Sequence, residues 1–203
     1  FSENLERFRV HDVEGEIDDA ISSSIEAFIP ARNEYIQLII TVAQYKPIPE
    51  FGERVHRFIE SLIPYMERPE HIQNCNRWEF DNYKSIVHEL FLYTLAVLLK
   101  YERFELASPL LMQQYFVGGR SEYGKDTMIG FENIRQYMES LEHRNKRLEK
   151  RRLSLRADLL KERSNGTGLD FRFLLQADFV AFMRAEIAAK DDYSRWWPET
   201  LLC

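Results

Sequence analysis

Residues 79–104 read EFDNYKSIVHELFLYTLAVLLKYERF, and this stretch decides the fold. Phe80, Tyr83, Ile86, Val87, Leu90, Phe91 and Leu95 recur at the three- and four-residue spacing of one helix face. From Leu90 to Leu99 only Thr94 is polar. A helix apolar all round belongs in the middle of other helices, because every face needs cover. The run is about ten residues, half of the ~20 that a membrane span needs, so it reads as a core element. The same holds for Tyr35–Ala43.

Working outward, residues 12–29 carry Ile17, Ile21, Ile25 and Phe28 on one stripe, with Asp12 as N-cap and Pro30 as the stop. Residues 32–45 are dense in β-branched side chains, yet the flanking helices favour a buried helix there. Phe51, Val55, Phe58, Ile59 and Leu62 predict a helix between Pro49 and Pro64. Leu106–Phe116 predicts a short one, with Pro109 near its first turn. Val117–Thr127, with Gly118, Gly119 and Gly124, is a loop.

Beyond that loop, residues 128–162 contain no proline and one glycine, Gly130. Ile134, Met138, Leu141, Asn145, Leu148, Arg152, Leu155 and Leu159 alternate spacings of four and three, the 3.5-residue period of a coiled-coil seam. The expectation is one helix of ~50 Å. Its seam would pair with a second copy of the chain, antiparallel so that Arg152 avoids its own image. Asp170–Lys190 predicts a last helix packed on the long one, with Phe171, Leu174, Leu175, Phe179, Phe182, Met183 and Ile187 on its buried face.

The fold class is therefore all-α: a multi-helix bundle with one long coiled-coil-like helix and a C-terminal packing helix. Its segments are a helical bundle over 1–117, a glycine-containing loop over 118–127, and the long and C-terminal helices over 128–203. Together they form one compact unit. Hydrophobic residues at 45% and charged residues at 30% are ordinary for a globular chain and exclude disorder. Eight glycines and seven prolines are few for 203 residues, as helices require. Two cysteines, Cys75 and Cys203, make no disulfide framework, so the expected compartment is the cytoplasm. The first and last residues read as those of a piece of a longer polypeptide.

Net charge is −6, which disfavours attraction of the whole surface to nucleic acid or to an anionic membrane. The charge is unevenly placed. Residues 1–30 hold eight acids and two arginines, whereas residues 143–163 hold nine Lys and Arg against three acids. Arg144, Lys146, Arg147, Lys150, Arg151, Arg152 and Arg156 form the candidate basic surface. It has three uses: docking on the acidic N-terminal region, contact with a partner protein, or contact with nucleic-acid phosphates. No aromatic residues interleave with it, so stacking of single-stranded bases is not supported.

Catalytic signals are weak. Gly119-Arg-Ser-Glu-Tyr-Gly124-Lys125-Asp126-Thr127 nearly matches the phosphate loop GxxxxGK[ST], but an Asp occupies the hydroxyl position. The strand that should precede such a loop is also missing. His71 and Cys75 stand four apart, too few ligands for zinc. His88-Glu89 lacks the second His of HExxH, so His88 is expected to be a hydrogen-bonded core residue. Asp18-Asp19 and Asp191-Asp192 read as caps or solvated faces, and Asp178 as a partner of a nearby Arg or Lys. No catalytic, cofactor-binding or metal-binding residue is assigned. The expected function is a non-catalytic interaction or regulatory module of a larger cytosolic protein, binding another protein or itself as a homodimer. The alternative is a nucleic-acid-binding domain, with or without nuclease activity. No membrane partner is expected.

Overall fold

The computed structural model describes residues 2–11, 13–45, 50–68, 76–118, 127–189 and 196–203. The chain is an all-α bundle with one minimal sheet. The helices are α1 (Ile17–Ala27), α2 (Ile29–Gln44), α3 (Glu50–Leu62), α4 (Asp81–Lys100), α5 (Phe104–Met112), α6 (Glu139–Arg147), α7 (Leu155–Ser164) and α8 (Phe171–Ala189). Single 3₁₀ turns flank them at Ser2–Phe8, Ile63–Met66, Phe131–Asn133 and Glu199–Leu202.

α4 is the axis. Every residue from Ser85 to Leu98 is buried, with Leu90, Leu95 and Leu98 fully so. α1, α2, α3, α5 and α8 all pack against it, which supplies the all-round cover that its sequence demands. Its start is anchored by Asp81, whose carboxylate accepts from the Ser140 N–H (3.0 Å), the Ser140 hydroxyl (2.7 Å) and Lys84 Nζ (2.7 Å). The main core draws on side chains from Leu5 to Trp196, so residues on both sides of segment 118–127 contribute to it.

Pro30 separates α1 from α2 by standing in the first turn of α2, where its missing N–H costs nothing. The β-branched stretch does form the helix α2, burying Tyr35, Ile36, Ile39, Ile40 and Ala43. α3 crosses α5 closely at Gly52, where a Cβ would lie 3.2 Å from the Leu106 carbonyl oxygen.

Three sequence expectations are corrected. First, α5 ends at Met112, and Tyr115–Val117 forms strand β1, antiparallel to β2 (Thr127–Ile129), with Tyr115 opposite Ile129 and Val117 opposite Thr127. Aromatic and β-branched residues favour this extended run. Glu60 fixes it by accepting from the Phe116 N–H at 2.6 Å.

Second, residues 128–162 are not one helix. The segment comprises β2, a 3₁₀ turn, α6, a reversing turn and α7. Glu149 and Arg151 take the left-handed region, φ 47° and 53°, which ends any α-helix. Asn145 holds the turn: its amide donates to the Arg152 carbonyl (2.7 Å) and accepts from the Arg152 N–H (3.1 Å). Ser154 then caps α7 by accepting from the Ala157 N–H. The heptad positions are nonetheless used. Met138, Leu141 and Leu155 pack on Val10, Ile21 and Ile25 of the same chain, with Leu159 at the edge of this second core. Ile134 joins the main core, Leu148 is exposed, and Arg152 is surface-paired. α1 thus covers what the periodicity offered to a second copy.

Third, α8 packs on α4 rather than on α6 or α7. It buries Leu174, Ala177, Asp178, Ala181 and Ala185 and leaves Phe179, Met183 and Ile187 outside.

Candidate functional site

Most of the basic stretch is spent inside the chain. Asp18 and Asp19, in the first turn of α1, face the end of α6. Arg147 reaches Asp18 (3.1 Å) and Asp19 (2.8 Å), Arg144 pairs with Asp19, and His143 lies 3.5 Å from Asp18. Acids at a helix start and cations at a helix end also complement both dipoles. Lys146 pairs with Glu142 one turn back, and Arg152 is bidentate to Asp158 at 2.6 Å. Arg156 is buried and donates to the carbonyls of Gln136 and Lys84. Burial, with Arg135 beside it, pushes its pKa down to about 10 against the pull of Glu199. Among the described residues only Lys150 and Arg151 of the candidate set remain exposed without an ion pair.

Between α1 and the α6–α7 turn lies an open cleft of about 500 Å³. Arg144, Lys150 and Arg152 face Glu26, Asp158 and Glu162 across a floor of leucines. Its charges balance, and two of its three cations are already paired, so it has no clear preference for an anion.

Buried polar groups, which could mark chemistry, form structural networks. Glu89 on α4 lies 2.6 Å from Arg32 Nη1 on α2 and 3.5 Å from Arg163 Nη1 on α7. Arg32 also donates to the Arg163 carbonyl, and Arg163 to the Ile25 carbonyl. Four helices are tied at one point. Among the described residues Asp178 forms no ion pair with a cation. It accepts from Trp196 Nε1 (2.8 Å), the Thr200 N–H (2.8 Å) and the Thr200 hydroxyl (2.9 Å), clamping the C-terminal residues onto α8. Burial raises its pKa, and these three donors oppose the rise. Burial would also raise Glu199, but Arg156, Ser154 and Arg135 outweigh it and hold the carboxyl below its ordinary value. His88 is fully buried, with neither ring nitrogen hydrogen-bonded, which corrects the expectation of a satisfied histidine. Desolvation, reinforced by Arg156 and Arg135, drives its pKa well below 6.5 and keeps it neutral.

The near-match to a phosphate loop (119–126) and the His71–Cys75 pair lie outside the described residues, as do Asp12 and Asp191-Asp192. The element before the loop is a strand after all. It has three residues in an antiparallel pair, not the buried parallel strand that a phosphate loop requires. Among the described residues no three His, Cys, Asp or Glu converge to hold a metal ion, and no helix is long and apolar enough to cross a membrane.

What stands out instead is α8. Its alanines at 177, 181 and 185 let it sit close on α4. Its large apolar side chains then point the other way: Phe179 is 49% exposed, Met183 44% and Ile187 68%, with Val180 beside them. These residues follow i, i+4, i+8 and form one outward stripe. Scattered exposed apolar residues are normal, whereas a stripe along one helix face is a feature that needs a reason. The sequence put these residues on α8 but assigned them to its buried face, because large side chains outweigh alanines in any reading of periodicity. No family model, curated protein or solved structure matches the chain.

Proposed function

We propose that this chain is a non-catalytic helical interaction module of the cytoplasm, and that it docks a protein on the outward face of α8. The observation that carries this reading is that α8 has two apolar faces and the chain covers only one. A helix apolar on both sides is stable in water when a partner covers the second side. Among the described residues the buried carboxylates Asp81, Glu89 and Asp178 favour no competing active site, since each is engaged by donors or cations of the fold itself. The nucleic-acid reading loses support because Arg144, Arg147 and Arg152 are paired and Arg156 is buried.

A photo-crosslinking amino acid placed at Met183 in the source cells tests this reading. Covalent adducts to protein are expected at 183 and not at Lys161, which is exposed on α7. Absence of any protein adduct at 183 overturns the reading.

A further inference from the structure

This inference rests on the reading of α8 as a docking face and names what docks there. We infer that the occupant is a second copy of this chain, its α8 antiparallel to the first about a two-fold axis at Phe179.

The argument is one of charge and register. The outward face carries two charged residues along its length, Arg172 near one end and Glu186 near the other. They stand seven residues to either side of Phe179, two helical turns each way, so all three share one side of the helix. Antiparallel pairing about Phe179 therefore sets Arg172 of each copy against Glu186 of the other, and symmetry makes the contact twice. A parallel pair would set Arg172 against Arg172 and Glu186 against Glu186, which repels. In the antiparallel register the two Phe179 rings meet on the axis, and each Met183 runs over the half-buried Leu175 of the other helix. Gln176 is the one uncharged polar residue in the strip. Arg172 already has Asp170 at 3.0 Å, but both are exposed, and such a pair is weak enough to be shared or replaced.

Light scattering of the reduced protein from micromolar to near-millimolar concentration tests the inference. The mass is expected to rise from 24.3 kDa to twice that value. Phe179→Glu should hold it at the monomer. Arg172→Glu and Glu186→Arg should each weaken the dimer roughly tenfold, from two lost and reversed contacts. The double variant should restore it. All three residue changes lie on exposed positions, and an unchanged helical spectrum verifies each fold. A mass fixed at 24.3 kDa at every concentration overturns the inference. So does a dimer indifferent to Phe179→Glu, or a double variant no better than the singles. If the protein is monomeric while position 183 still crosslinks to a different protein, the docking face stands and the second copy falls. If position 183 captures nothing, the docking face itself falls.

Discussion

Glu89 shows how a single residue can hold this fold without taking part in chemistry. It is the one carboxylate between two buried guanidinium groups, Arg32 and Arg163. Removing one partner of a buried ion pair leaves uncompensated charge, at a cost of about 3–5 kcal/mol. Glu89→Gln should therefore lower the unfolding free energy from urea titration by that amount, and a loss below about 1 kcal/mol would show the network to be dispensable. Such pairing was not legible in the sequence, because Arg32, Glu89 and Arg163 are distant in the chain and none sits in a motif. His88 makes the complementary point. The folded chain refuses a proton there, whereas the unfolded chain accepts one near pH 6.5. Stability must then fall as pH drops through that value, since the unfolded state binds more protons. Between about pH 7.5 and 5.5 the loss due to His88 should be about 1.4 kcal/mol. His56 is also depressed, by burial, so the comparison that isolates His88 is His88→Leu, which should lose correspondingly less over the same range. Equal pH dependence in the two proteins would contradict a neutral buried imidazole.

Among elements, α4 and α2 were readable because length and apolar density overrode local ambiguity, and α6–α7 was not. The spacing from Ile134 to Leu159 satisfies a heptad pattern whether the chain runs straight or folds back, and in the folded chain Met138, Leu141, Leu155 and Leu159 of that set pack in one cluster with residues of α1. What breaks the helix is the left-handed backbone at Glu149 and Arg151, adopted by residues that do not announce it. Two signals were present: Asn145 and Arg152 interrupting the seam, and Ser154 placed as an N-cap. A glycine substitution distinguishes the two geometries by sign. Inside a continuous helix Arg151→Gly would cost about 1 kcal/mol. At φ 53° it relieves strain of about 1–2 kcal/mol, so the variant should be as stable as the parent or more so. Clear destabilisation in urea titration would restore the long helix.

At the scale of the molecule, the two ends of the chain complete the core. Leu5 and Phe8 pack at one side, and Trp196 at the other fills the space beside Phe91, Phe131 and His88. Asp18 and Asp19 of the acidic N-terminal region pair with Arg144 and Arg147 of the basic stretch, while the outside of α8 stays a prominent exposed apolar feature. The class of fold followed from composition and period. The outward apolar face of α8 did not, because one helix carried two apolar stripes and sequence cannot say which stripe the core takes. Thiol labelling tests this most directly. In a chain with Cys75→Ser and Cys203→Ser, a cysteine is placed by Met183→Cys in one protein and by Ala177→Cys in another. In dilute native protein the thiol at 183 should react nearly as fast as in urea, while the thiol at 177 stays protected. Equal protection at both positions would mean that the chain itself covers the outer face of α8, and the docking surface would not exist.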